Sequence, residues 1–335
     1  MYELAMGLRQ LGHEVEVYAL PFTLENRRKV DRNLIYNGEI PYHEGVIHPI
    51  KADVCYVMYH PFSWLNFPTS APRIASFHSQ IWFGSDRKGY GLVSRTAALL
   101  SDHLLDRELS KYDAVHVHYP ATAKEIERRA PRHPRIHTIE HFVDTDVFRP
   151  NGGKVSDKFH VLFVGRPVWQ KGFDLFVRLA HELADERSQF SFVGGESPDE
   201  RVMSYGLVKD PKSLAKILGD AHVVVSPQRV EKMVVGRSVL EALSCGTPVV
   251  AMSKSVDPPL DDCESLFTTD NYGSLRSTVR EFYRTWRNGG YDEARLSSQA
   301  RRCVVENYSI ESTLKKYESM FENVIGSRTD LPRSP

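Results

Sequence analysis

The stretch VLFVGRPVWQKGFDLFVRLA, Val161 to Ala180, decides the fold. An apolar run stops at Gly165, a short polar segment carries Arg166 and Lys171, and after Gly172 the apolar residues recur at helical spacing. That is a buried strand, a turn and a helix. A glycine after the strand lets the backbone turn sharply, so two cations can converge from the turn. Arginine offers a planar fork for two oxygens and lysine a movable point charge, a pairing suited to a doubly charged oxyanion such as diphosphate. A leaving group that gains negative charge would gain most from it. The same spacing also fits two solvated loop cations.

A second stretch, GRSVLEALSCGTPVVA, runs from Gly236 to Ala251. Gly236 opens a short helix, Gly246 closes it, and a buried strand follows Pro248. Backbone N–H groups at Arg237, Ser238 and Val239 are expected to face an anion at the strand ends. Glu241 lies among Val239, Leu240, Ala242 and Leu243, which predicts a buried carboxylate that needs partners. Such a carboxylate can accept two ribose hydroxyls. An exposed helix glutamate is the plainer alternative.

Outward from these, strands alternate with helical segments. HEVEVYAL, DVCYVMY, RIASF and DAVHVHY read as strands, with ATAKEIERRA as a helix before RIHTIEHF. After the turn-rich DTDVFRPNGGKVSDK the pattern restarts with HVLFVG, FSFVGG, HVVVSP and TPVVAM, each followed by a helix candidate. Alternation of this kind predicts parallel sheets in an α/β fold with ligands at the carboxyl ends of the strands. The division expected is residues 1–150 and 151–310 as two Rossmann-like domains. An amphipathic helix over 311–327 is expected to pack back on the first domain, and 328–335 reads as a disordered tail.

At 335 residues the chain exceeds the usual reach of one hydrophobic core, which agrees with two domains. Lys and Arg total 43, as do Asp and Glu, so there is no electrostatic footprint for nucleic acid. Cys55, Cys245, Cys263 and Cys303 lack C-x-x-C spacing and read as buried thiols of a reduced, cytoplasmic protein. No apolar run approaches the roughly 20 residues of a membrane span. NRRK, residues 26–29, hints at peripheral membrane contact only to the extent that a solvated basic run does. His116 and His118 share a strand face without an evident third ligand, so they are expected to be packed or interfacial rather than metal-bound. His60, in MYHP, ends another strand.

FVGRPVWQKGFDLF, FSFVGGESPDE, LAKILGDAHVVVSP, GRSVLEALSCGTPVVA and ARRCVVENYSIESTLKKYESMF occur in an order and spacing that resembles the retaining glycosyltransferases of family 4, with the GT-B fold. IEHFVDTDVFRP is similar to the family's IPNGVDTDRFRP, which leads between its domains. The resemblance implies transfer of a hexosyl group from a UDP- or GDP-sugar to an acceptor hydroxyl, with retention and no obligatory metal, in glycan biosynthesis. It implies that Arg166 and Lys171 hold the diphosphate and that Glu241, second glutamate of an E-x7-E motif, holds the ribose. Gly165, Gly194, Gly236, Ser238, Val239, Leu207 and Val208 would complete the donor site, Leu207 and Val208 near the base. His78, in RIASFHSQIWF, would face the donor sugar. The acceptor stays open among glycan, lipid-linked sugar and small molecule.

The sequence departs from that pattern. Met233 stands where the first glutamate belongs; either Val234 and Val235 are an insertion that carries Glu231 into the role, or the role is vacant. The glycine pair expected after VVA is replaced by MSKSVDPPLDD. A catalytically weak nucleotide-sugar-binding homologue and a GT-B sugar-nucleotide epimerase are therefore the alternatives, whereas a dinucleotide-dependent dehydrogenase lacks its G-x-G-x-x-G. MYELAMGLRQLGHEVEVYAL reads as the helix and strand that come second in the family. The expectation is a first domain without its first strand and glycine-rich turn, and impaired activity in consequence.

Overall fold

A computed structural model describes residues 2–19, 39–59, 63–77, 104–131, 135–154, 157–197, 199–229, 236–253 and 260–329. His60, His78, Glu231, Met233, the NRRK run and residues 330–335 lie outside the described residues. The chain divides into two compact units. One takes its described residues from the amino-terminal part up to Glu140 and from Thr313 onward, and the other from His141 to Ser312.

In the first unit, α1 (Tyr2–Gln10) leads to β1 (Val17–Ala19), which pairs in parallel with β2 (Tyr42–Glu44). A separate parallel sheet holds β3 (Cys55–Met58), β4 (Arg73–Phe77), β5 (Ala114–Val117) and β6 (Ile136–Thr138), in that order. Among the described residues β1 and β3 are each paired on one side only. Tyr18 of β1 nonetheless packs on the cluster that contains Cys55 and Val57 of β3. α2 (Pro120–Arg129) follows β5, as its periodicity predicts, and buries Ile126 in that cluster.

His116 and His118 are packed side chains. His116 Nε2 donates to Ile139 O at 3.1 Å, and its Nδ1 lies 2.7 Å from Tyr56 Oη and 2.9 Å from Ser76 Oγ. His118 Nδ1 donates to the same carbonyl at 3.0 Å.

The second unit is one parallel sheet. It holds β7 (Phe159–Val164), β8 (Ser188–Val193), β9 (Met203–Ser204), β10 (Val223–Ser226), β11 (Val249–Met252) and β12 (Leu266–Thr269), in the order β12-β11-β10-β7-β8-β9. Val161 pairs with Phe190 on one side and Val223 on the other, so β7 is central. Both faces of β7 are covered, which is why its sequence reads as an unbroken apolar run. Phe159, Val161 and Phe163 pack with Phe173 and Phe176 of α3 (Phe173–Leu183), while Leu162 packs with Leu240 and Leu243 of α5 (Arg237–Ser244). Each fully buried Leu or Phe contributes roughly 1.5–3 kcal/mol.

Local signals set the helix ends. Asp210 caps α4 (Pro211–Asp220) by accepting from Ser213 N–H at 2.9 Å, and Asn271 caps α6 (Tyr272–Arg287) by accepting from Ser274 N–H at 3.1 Å. α7 (Glu293–Tyr308) and α8 (Ile310–Thr329) close the chain. The helix expected over 311–327 is thus part of α8, and no helix among the described residues is long and apolar enough to cross a membrane.

The cysteine reading needs correction for one pair. Cys263 and Cys303 form a disulfide with Cα atoms 5.7 Å apart, whereas Cys55 and Cys245 are free and buried as expected. A sequence separation of 40 carries no short motif, and only the docking of α7 beside the segment before β12 brings the two together. In the chain-entropy picture a loop of this length is worth about 4 kcal/mol. Thiol titration of the unfolded, unreduced protein should therefore find two of the four cysteines, and Cys303→Ala should lower the denaturant midpoint and abolish its sensitivity to reductant. Four titratable thiols would contradict the bond.

At the amino end of the same sheet, away from the carboxyl strand ends, His160 N–H donates to His222 Nδ1 at 3.0 Å. Burial pushes His160 down to about 4 and His222 down to about 3, so both are neutral in the folded protein at pH 7. The unfolded chain binds these protons near pH 6.5, hence stability is present above that pH and is lost as pH falls through 6.5 toward 4 and 3. The loss should reach a few kcal/mol at ~1.4 kcal/mol per pKa unit. Denaturant titrations at pH 7, 5.5 and 4.5 should show it, and His222→Asn should flatten the slope below pH 6; an equal slope in the variant would refute the assignment.

Candidate functional site

The carboxyl ends of β7, β8 and β10 meet in the second unit, and the backbone there is crowded. A Cβ on Gly194 would lie 2.1 Å from Gly165 O, so the turn after β8 can pass the turn after β7 only with a glycine at 194. Gly165 N–H donates to Val193 O and Gly194 N–H to Gly206 O, both at 2.9 Å. The same crowding recurs at Gly172, with φ 71°, where a Cβ would lie 1.9 Å from Pro227 O.

The two cations lie on the segment between these close approaches, Arg166 directly after Gly165 and Lys171 directly before Gly172. Arg166 is exposed, and Lys171 ends a single 3-10 turn, Trp169–Lys171, that Gly172 closes. Burial holds the Lys171 amine below the ordinary lysine range, and the like charge of Arg166 adds to the shift. Lys171 Nζ donates to Gln228 Oε1 at 2.9 Å, and Gln228 Nε2 donates to Ser226 Oγ at 3.3 Å. Gln228 was not singled out in the sequence. Its signal was there: a polar residue two places beyond the end of a buried strand, at the ligand-binding edge of a parallel sheet.

The α5 element begins at Gly236 and buries Val239 through Ser244. Of the three amides expected to face an anion, Val239 N–H is instead taken by Gly236 O at 2.9 Å, because the first turn closes tightly. Ser238 N–H meets no acceptor among the described residues. Glu241 is 7% exposed, as its apolar neighbours predict, and its Oε1 lies 3.4 Å from Arg237 Nη2 one turn earlier.

Leu207 is 70% exposed beyond β9, while Val208 packs against the core. Gly195 pairs with Gly206, and Gly206 N–H donates to Ser204 Oγ at 2.9 Å, which closes the loop that carries Leu207. The structure therefore sets Gly194 against Gly165 and Arg166, carries Lys171 to Gln228 beside the Gly172–Pro227 approach, and places Ser238, Val239 and Glu241 in one short helix that Gly236 starts. His78 and Glu231 fall outside the described residues. Among the described residues no cluster of three or more His, Cys, Asp and Glu could hold a metal ion.

The model of the family described as glycosyl transferases group 1 matches residues 158–281, which span the sheet and loops of this site. D-inositol 3-phosphate glycosyltransferase 1 of Catenulispora acidiphila is 33% identical over 155 residues, covering 35% of this chain and 35% of its own length. A glycogen synthase of Thermodesulfovibrio yellowstonii is 26% identical over 183 residues, covering 50% of this chain and 36% of its own. The matched region thus spans little more than a third of the length of either relative. Among solved structures, sucrose-phosphate synthase from Thermosynechococcus elongatus superposes with a TM-score of 0.71 at 17% identity, over 97% of this chain and 92% of that one. Anabaena HepE, solved with UDP and glucose, gives 0.64 at 12% identity, over 92% of this chain and 99% of its own. The family match lies within the second unit, and the shared fold gives the chain the GT-B architecture.

Proposed function

We propose that the second unit binds the diphosphate of a UDP- or GDP-sugar and that the protein transfers the hexosyl group to an acceptor hydroxyl with retention at the anomeric carbon. The observation that carries this reading is a half-buried Lys171 that feels the like charge of Arg166, on a turn bounded by the close backbone approaches of Gly165 to Gly194 and Gly172 to Pro227. A lysine whose amine is held below its ordinary range by burial and a neighbouring like charge is suited to an anion that restores the balance. A nucleotide diphosphate leaving as a dianion supplies it, and stabilisation that grows with the developing charge lowers the barrier. HepE, of the same fold, was solved with UDP-glucose.

In this reading the C–O bond to the diphosphate breaks first, leaving oxocarbenium character at the sugar. The acceptor hydroxyl attacks from the same face, and its proton passes to a phosphate oxygen of the departing diphosphate. Glu241 accepts the ribose hydroxyls and Ser238 N–H donates to phosphate. Leu207 and Val208 border the base. The first unit takes the acceptor side. Since the two cations meet the leaving-group charge, we propose that no divalent metal is obligatory; turnover should survive chelation by EDTA.

A protein that binds the donor without transferring is favoured by one feature, Met233 where the family has a glutamate. Slow release of free nucleotide from donor alone separates the two: a working leaving-group site gives it, and a binding-only protein does not.

Lys171→Ala and Arg166→Ala should each lower turnover by a factor equivalent to roughly 2–4 kcal/mol, with little change in melting temperature. Unchanged transfer by the double variant would remove the diphosphate assignment. Glu241→Gln presents an amide donor to one hydroxyl, so it should weaken UDP or GDP binding in calorimetry more than it changes kcat. Equal affinity in variant and wild type would contradict the ribose role.

A further inference from the structure

The turn that carries Lys171 has almost no packing of its own. None of Trp169, Gln170 and Lys171 is buried, and Trp169 is 42% exposed. Beyond the Lys171–Gln228 hydrogen bond and the approach of Gly172 to Pro227, it is held by Arg229, from the segment after β10. Arg229 N–H donates to Gln170 O at 3.2 Å, and its Nη1 donates to Trp169 O at 2.7 Å. The guanidinium lies over the Trp169 ring, 4.8 Å from its centroid. Arg229 thus takes the carbonyls of two successive residues of the turn and the indole face of one.

The arginine is itself locked. Asp174, in the first turn of α3, accepts from Nη1 at 2.6 Å and from Nη2 at 2.5 Å. An exposed ion pair contributes little stability, and the Asp174 side chain is 55% exposed. A bidentate fork that also stacks and reaches a carbonyl fixes direction, which a lysine cannot reproduce. We infer that Arg229, locked by Asp174, is a positioning residue: it holds the turn bearing Lys171 against the segment after β10, and so sets where the amine meets a nucleoside diphosphate.

This inference rests on the reading of Lys171 as a diphosphate ligand, and its test is built to tell the two apart. Arg229→Ala should weaken UDP and GDP binding tenfold or more in calorimetry, as a small misplacement of a charged group does. Affinity for uridine and guanosine, read by saturation-transfer NMR, should stay within twofold. Arg229→Ala combined with Lys171→Ala should bind UDP and GDP no worse than Lys171→Ala alone, and Arg229→Lys should fall between wild type and Arg229→Ala. Additive losses in the double variant, or equal loss of nucleoside and diphosphate binding, would overturn the inference.

The second readout needs no ligand. Competitive acylation of the Lys171 amine across pH, followed by mass spectrometry of its peptide, should give a depressed midpoint in wild type. The midpoint should move up toward the ordinary lysine range in Arg229→Ala and in Asp174→Asn. An unmoved midpoint would sink the positioning role. If wild type binds neither UDP nor GDP, the proposed function fails, while the acylation profile still decides whether Arg229 places Lys171.

Discussion

The approach of Gly194 to the carbonyl of Gly165, too close for any Cβ, is the constraint on which the second unit's site depends. It lets the turns after the central strand and its neighbour cross at the strand ends, where a parallel sheet gathers its loops. Without it the turn carrying Arg166 and Lys171 would be pushed off the sheet. Gly172 repeats the device against Pro227, so the segments after β7 and β10 also meet backbone to backbone. Charge is thus concentrated on a floor with no side chains of its own.

The surrounding sheet makes that concentration tolerable. β7 is apolar on both faces and sits between β8 and β10, so its end moves only if the core moves. Interiors packed to crystal-like density resist such displacement. The titratable groups of this unit are segregated by the same geometry. His160 and His222 lie neutral and buried at the amino ends of the strands, while the cations lie at the carboxyl ends.

Where local chemistry decided the structure, the sequence was legible. The apolar run at 161–164 became the central strand, the glycines took up the turns, and Glu241 was buried because its neighbours were apolar. Distant pairings left no trace in spacing. Cys263 meets Cys303 only through the docking of α7, and Arg229 meets Asp174 only because β10 lies beside β7. Val239 was misjudged for a subtler reason: the pattern G-R-S-V marks a helix start but not whether its first turn tightens enough to use the amide on Gly236 O. His78 and Glu231 were named from the resemblance, and the described residues leave their roles where the sequence put them.

Thr313 onward belongs with the amino-terminal unit, and Tyr317 of α8 is buried there, its ring centroid 6.0 Å from that of Tyr56 and 5.2 Å from that of His116. The order of synthesis then differs from the order of completion. Residues up to Glu140 emerge from the ribosome first, yet the helix that covers Tyr56 follows only after the whole of the second unit has been translated. At roughly 5–20 residues per second that delay is on the order of ten to thirty seconds. During it the nascent amino-terminal sheet carries uncovered aromatic surface, whereas the described strands of the second unit are followed in the chain by the helices that cover them. The part of the chain born first is therefore the part finished last, and the one with the greater need of chaperones.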